Sequence, residues 1–316
     1  MTDSSLAFVF PGQGSQRTGM LKDAHARFAC VHDTFQQASD ALGYDLWALV
    51  SGDDQDALNL TETTQPVLLT CSVALWRAWQ AVGGPAPAVM AGHSLGEFSA
   101  LTCAGSFAFD DAVRLVRLRG EAMQTAVPVG EGAMAAVLGL DDADIERICA
   151  EVTAAGSGIV EAVNYNAPGQ VVIAGHRAAL DSAVAALKEA GARRAVPLPV
   201  SAPFHTTLMT PAGERLRDAL AELPVQTPAI PVVHNVNAET ASDPAVIRTL
   251  LVKQISSPVR WTACVRAMAA KGVGRVAECG PGKVLGGLNR RIDRALESWY
   301  LEAPADLDAL QAALAA

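Results

Sequence analysis

The sequence predicts an α/β fold in which a small domain of different pattern interrupts a larger one. Short apolar runs alternate with amphipathic stretches of helical period along most of the 316 residues, as a parallel sheet covered by helices requires. Between residues 128 and 200 the order becomes strand, helix, strand, strand, helix, strand, the ferredoxin-like pattern. The domains expected are a discontinuous large one, residues 1–127 and 201–316, and a small one inserted at 128–200. At roughly 150 residues per domain, the length agrees with about two.

Leu6–Phe10 reads as a buried strand entering the loop Pro11-Gly12-Gln13-Gly14-Ser15-Gln16. Gln65–Trp79 is a long helix, apolar on nearly all sides and so mostly buried. Ala88–Ala91 is a short strand, followed by Gly92–Gly96 and a helix through Ala104. Asp110 and Asp111 suit the N-cap of a helix over Ala112–Gln124. In the small domain, strands are expected at Gly132–Leu138, Ile159–Asn164, Gln170–Ala174 and Ala195–Val200. Asn166–Gly169 is a turn there, Asp141 and Asp142 cap a helix through Val152, and a second helix spans Ala178–Ala190. Beyond it, helices are expected at Pro211–Leu223, Pro244–Gln254 and Thr262–Lys271, with strands at Ile230–Asn235 and Arg275–Glu278.

Half of the residues are hydrophobic, 18% are charged, and the net charge is −9. That acidity argues against a nucleic-acid partner, since phosphate binding needs a basic surface. The six cysteines form no CxxC pair and read as reduced core residues of a cytoplasmic protein, with neither a disulfide framework nor a zinc site. The apolar run before Pro11 is too short for a signal peptide. No run approaches the ~20 residues of a membrane helix.

Gly92-His93-Ser94-Leu95-Gly96 is a G-x-S-x-G pattern between a predicted strand and a predicted helix. Chemistry at an ester or thioester needs an exposed oxygen nucleophile and nearby backbone N–H donors, and that turn supplies both. Ser94 is the expected nucleophile, with the N–H of Leu95 aimed at the developing oxyanion. The bland alternative is a tight turn with Ser94 as an N-cap.

For a proton acceptor, His205 ranks first of six histidines. It lies on a loop where the chain returns from the small domain to the large one. His234 ranks second, although a hydrogen-bonded core histidine fits its strand better. His25 and His32 read as surface residues, His176 follows a strand of the small domain, and the turn at Ser94 should point the His93 ring elsewhere. No acid stands in a recognisable motif, so a dyad oriented by an amide or carbonyl fits as well as a triad.

Arg119 lines up with Ala112, Leu115, Val116 and Met123 on the apolar stripe of its helix. A buried guanidinium costs several kcal/mol unless paired. It either pairs with a core carboxylate or awaits an anionic substrate, whose carboxylate its fork of donors would match. The loop Pro11–Arg17 is neither a dinucleotide fingerprint nor a phosphate loop. It is a bland turn, or else the N–H of Gln13 completes an oxyanion hole with Leu95.

Phe10–Gln16, Gly92–Glu97, Arg117-Leu-Arg-Gly120, Asn164-Tyr-Asn-Ala-Pro-Gly-Gln170, Pro199–His205 and Glu278-Cys-Gly-Pro-Gly-Lys283 occur in order. Together they closely resemble bacterial malonyl-CoA:acyl carrier protein transacylases of type II fatty acid synthesis, over nearly the whole chain. The resemblance implies an α/β-hydrolase-like large domain around the ferredoxin-like one. It implies ping-pong transfer of malonyl from malonyl-CoA to the phosphopantetheine thiol of acyl carrier protein, through Ser94 with His205 as base, without a cofactor or metal. It assigns the malonyl carboxylate to Arg119, the oxyanion to Gln13 and Leu95, and orientation of the histidine to the Gln254 carbonyl. It sets Asn164 and Asn166 against substrate. Many members have serine at Phe204 and methionine at Leu118; in modular synthases a phenylalanine before the histidine accompanies malonyl selection.

The competing readings are a serine hydrolase or esterase acting on carboxylated acyl thioesters, and a non-catalytic carrier-docking module. A monomer is expected. An acidic carrier must dock on a local basic patch, for which Lys283, Arg290, Arg291, Arg193 and Arg194 are candidates.

Overall fold

In the computed structural model, which describes residues 2–200 and 202–315, the run Leu6–Phe10 is the centre of the molecule. In chain order the strands are β1 (Thr2–Phe10), β2 (Ala86–Gly92), β3 (Gly132–Leu138), β4 (Val160–Ala167), β5 (Gln170–His176), β6 (Arg194–Pro197), β7 (Val232–Val233), β8 (Arg275–Glu278) and β9 (Glu297–Tyr300). β1 is paired in parallel with β2 on one side and β8 on the other, within a sheet of order β7-β2-β1-β8-β9. A central parallel strand is covered on both faces, which is why its sequence is an unbroken apolar run. Leu6, Phe8 and Phe10 enter the larger core, where the Phe8 ring meets Trp76 edge-on at 5.5 Å. Ala7 and Val9 enter a second core with Trp261, Val265 and Val276. The helix Thr61–Ala81 lies in the larger core and is buried on nearly all sides, as expected.

Residues 132–197 form a separate antiparallel sheet of order β4-β5-β3-β6. The helices Asp142–Ala154 and Arg177–Glu189 complete the strand-helix-strand-strand-helix-strand order. They cover one face with Ile145, Ile148, Leu180 and Leu187. The other face carries Met134, Val163 and Val172, and packs against Leu198, Val200 and Phe204. The outer edge of β4 is tied to the large sheet's side of the molecule: Tyr165 N–H donates to Val259 O at 2.9 Å, and Val259 N–H to Val163 O at 2.8 Å. The expected boundary between 200 and 201 touches Ser201, which lies outside the described residues.

Four local expectations change. Asp110 and Asp111 are not caps: the helix starts at Phe109 with Ala108 as N-cap, and the two acids occupy its first turn, where the helix dipole favours them. β4 continues through Ala167, so the turn is Pro168-Gly169 and both Asn164 and Asn166 stand on the strand. β6 stops at Pro197, where the prolines of Pro197-Leu198-Pro199 deprive a ladder of donors. The strand foreseen over Ile230–Asn235 reduces to Val232–Val233 against Met90–Ala91. Among the described residues, no helix is long and apolar enough to cross a membrane.

Candidate active site

The end of β2 and the start of the helix Leu95–Cys103 make a turn only glycines allow. A Cβ on Gly92 would lie 1.9 Å from the backbone of Gly96, and one on Gly96 would lie 2.0 Å from Phe10 O. Between them Ser94 adopts φ 53°, ψ −108°, a sparsely populated conformation costing about 1–3 kcal/mol. Three hydrogen bonds hold it there. Ser94 N–H donates to Asn235 Oδ1 at 2.8 Å, Asn235 Nδ2 to Gly92 O at 2.7 Å, and Gln254 Nε2 to Ser94 O at 3.0 Å. Ser94 stands at the helix N-cap position, but its side chain makes no capping bond. Its Oγ instead meets His205 Nε2 at 2.7 Å.

The His205 ring is fixed from behind by the Gln254 carbonyl, 2.9 Å from Nδ1. That carbonyl belongs to the last turn of the helix Pro244–Ile255, where carbonyls lack helical partners. A carbonyl only accepts, so Nδ1 carries the proton and Nε2 presents its lone pair to the Ser94 hydroxyl. Burial, reinforced by the Arg119 charge, pushes the His205 pKa down to about 3. The ring is therefore neutral at physiological pH. The arrangement is a serine-histidine dyad oriented by a main-chain carbonyl.

The other histidines fall elsewhere. His234 is fully buried with Nδ1 2.7 Å from Glu97 Oε1, the core reading. His176 Nδ1 accepts the Ile159 N–H. His32 is exposed, whereas His25 is half-buried and stacks on Trp47 at 3.7 Å. His93 corrects its expectation: the ring does not turn away but lines the same cavity as Ser94, with Nε2 2.8 Å from Asn166 Oδ1 on β4. The glycine at 12 makes this packing feasible, since a Cβ there would lie 2.5 Å from His93 O.

Arg119 is 1% exposed. Nη1 donates to Gln65 Oε1 at 2.8 Å, and Nη2 to Gln254 Oε1 at 2.9 Å and to Ser94 Oγ at 3.1 Å. These acceptors are neutral. Among the described residues Nε has no partner, and Glu97 acts on the guanidinium only at longer range. Burial lowers its pKa, which Glu97 opposes. A cation held beside the nucleophile by neutral amides keeps its charge available for an anionic group.

Gln13, Gln65, His93, Ser94, Leu95, Arg119, Asn164, Phe204 and His205 share one cavity of about 120 Å³. Its lining residues Gln13, Met134, Leu198, Val200 and Phe204 also line a wider cleft of about 680 Å³ between the two sheets' elements. Leu95 is the first residue of its helix, so its N–H has no intrahelical acceptor and lies at the positive end of the dipole. Asn164 Oδ1 is buried in this cavity wall without a partner among the described residues.

Gln65, Glu97 and Asn235 were not given roles by sequence reasoning. Gln65 had a usable signal, a polar amide inside an otherwise apolar buried helix, the same signature that marked Arg119.

The model of the acyl transferase domain matches residues 7–298. This chain belongs to the acyl transferase family. It is 55% identical over 306 residues to a malonyl CoA-acyl carrier protein transacylase of Escherichia coli K12, covering 97% of this chain and 98% of that protein. A crystal structure of an acyl-carrier-protein S-malonyltransferase from Burkholderia pseudomallei superposes with TM-score 0.95 at 54% identity, over 98% of this chain and 99% of that one. A malonyl-transacylase solved in complex with a type II PKS acyl-carrier protein is 50% identical, with TM-score 0.96 over 98% and 99% of the two chains. The site gathers a serine hydroxyl, an imidazole nitrogen hydrogen-bonded to it and the N–H of a helix's first residue.

Proposed function

We propose that this acyl transferase carries malonyl from malonyl-CoA to the phosphopantetheine thiol of an acyl carrier protein, through a malonyl ester on Ser94. The observation that carries the acyl specificity is the Arg119 guanidinium, buried, bonded to neutral oxygens and 3.1 Å from the nucleophile. A carboxylated acyl group supplies the counter-charge it lacks. The named relatives of similar length and fold support the same choice.

In the first half-reaction His205 Nε2 takes the Ser94 proton as Oγ attacks the thioester carbon. The N–H groups of Leu95 and Gln13 hold the oxyanion. The C–S bond breaks, and the coenzyme A sulfur leaves with the proton from His205. In the second half the carrier thiol gives its proton to His205 and attacks the ester, and Ser94 recovers the proton. Gln254 O keeps Nδ1 protonated throughout. Asn164, with a buried unpartnered oxygen, contacts the substrate arm from the small domain, while Asn166 acts through His93. The strand order of the small sheet supports a ferredoxin-like reading of 128–200, and the serine turn after a parallel strand supports an α/β-hydrolase-like large domain.

The acidic carrier docks, in this reading, at one end of the small sheet. Arg193 packs over Gly139, Arg291 hydrogen-bonds Gln170, and Gly139 N–H donates to Gly169 O, so both cations flank one hairpin. Lys283 is turned onto the Tyr300 ring. The same reading has the protein working as a cytoplasmic monomer without a cofactor.

Malonyl-CoA alone should leave a malonyl group on the peptide containing Ser94, seen by mass spectrometry and absent in Ser94→Ala, and holo carrier protein should discharge it. Fast release of free malonate with no thiol acceptor would identify a hydrolase instead.

A further inference from the structure

Glu97 ends the motif Gly92–Glu97, is fully buried, and has no part in the steps above. It nevertheless joins the residues that do. Oε1 accepts the Nδ1–H of His234 at 2.7 Å; Oε2 accepts the Asn235 N–H at 2.9 Å and Gln254 Nε2 at 2.8 Å. Asn235 in turn holds Ser94 N–H and Gly92 O through its side chain. Gln254 holds Ser94 O through Nε2, Arg119 through Oε1 and His205 through its main-chain carbonyl.

Two acceptors, Glu97 Oε2 and Ser94 O, set the direction of the Gln254 amide. A carboxylate only accepts, so the Gln254 amide must turn its NH2 toward it. The amide oxygen is then left facing Arg119, where a flipped amide would set donor against donor. The same carboxylate pins the main chain at Asn235, whose side chain holds the strained Ser94 backbone. Its charge also opposes the penalty of burying Arg119.

We propose that Glu97 is a positioning residue for acyl transfer, acting through Gln254 and Asn235 to fix the Ser94 backbone, the Arg119 guanidinium and the His205 ring together. The proposal rests on the acyl-transfer reading of Ser94. A role in fold stability alone would leave folded protein fully reactive; positioning would not.

The test follows Ser94 modification by two reagents, malonyl-CoA and a fluorophosphonate, in variants shown by circular dichroism to be folded at the assay temperature. Glu97→Ala frees the Gln254 amide and should slow both reactions about 100-fold, the scale of a reacting group misplaced by about 1 Å. Glu97→Gln can keep the three contacts, its carbonyl at the Oε2 position and its NH2 toward His234, whose proton can move to the unpartnered Nε2. It should recover to within about tenfold of the parent, as expected where hydrogen-bond geometry dominates. Glu97→Asp keeps the charge but withdraws it by one methylene, and should be slower than Glu97→Gln; this pair carries the test if Glu97→Ala does not fold. Folded Glu97→Ala reacting at the parental rate, or Glu97→Asp matching or outrunning Glu97→Gln, would overturn the proposal. A parent that reacts with the fluorophosphonate and not with malonyl-CoA would refute the malonyl reading and leave the Glu97 comparison intact.

Discussion

His205 and His234 are both buried histidines, each held through Nδ1, and the group facing that nitrogen differs. For His205 it is the Gln254 carbonyl; for His234 it is the Glu97 carboxylate. The carbonyl orients the ring and fixes its tautomer without adding a negative charge, so burial and Arg119 keep His205 neutral and its Nε2 free for Ser94. The carboxylate instead draws His234 into a fixed hydrogen-bond network, and its far nitrogen meets no partner among the described residues. Burial alone therefore does not separate a base from a core histidine. What faces the second nitrogen does.

The largest effect that could break this contrast is at the base itself. His205→Ala should slow Ser94 acylation by about 10²–10⁴-fold, the scale of what a positioned general base contributes. His234→Ala should leave the rate within tenfold and cost about 1–3 kcal/mol of stability, because Glu97 Oε1 loses its donor. Stopped-flow acylation and chemical denaturation measure the two, and comparable rate losses at both positions would erase the distinction.

The pH dependence sharpens it further. A histidine depressed to about 3 stays in its basic form far below the ordinary imidazole value of 6.5. Acylation should then be flat from pH 8 down to about 5, where an unshifted imidazole would already be mostly protonated. In Arg119→Ala one cause of the depression is gone, and the fall should move to higher pH. A parental profile that breaks near 6.5 would contradict this account of the His205 environment.

The smallest effect expected lies far from either histidine. Arg291→Glu should raise KM for carrier protein by no more than about fivefold, as an exposed charge pair of about 0.2–1 kcal/mol implies. Coenzyme A half-reaction kinetics should stay unaltered, and an equal change in both would remove the patch from the carrier's path.

Much of the site was legible because its signals are local. The glycines at 92 and 96 declare the turn, and Arg119 declares itself by its place on an apolar stripe. The loop that returns from the small domain offered His205. The supporting network was not legible, because its bonds cross long stretches of chain: Ser94 to Asn235, and Gln254 to both Ser94 and Glu97. Spacing along the sequence carries no trace of such contacts. The His93 ring was misjudged for a related reason, since the partner that turns it into the cavity, Asn166, stands on β4 of the inserted sheet. In the fold, the long buried elements were readable from periodicity. β9 and the helices Val284–Ile292 and Pro304–Ala315 were not: the first two are only four and nine residues long, and the last buries only Leu307 and Leu310.

The central claim is that an unpaired buried guanidinium beside Ser94 selects a carboxylated acyl group. Single-turnover acylation of Ser94 by malonyl-CoA and by acetyl-CoA, in the parent and in Arg119→Ala, tests it directly. Malonyl acylation should fall by about 30-fold or more, matching the loss of a buried charge-assisted contact of about 2–5 kcal/mol, while acetyl acylation changes far less and the preference collapses. A malonyl preference undiminished in Arg119→Ala would contradict the account.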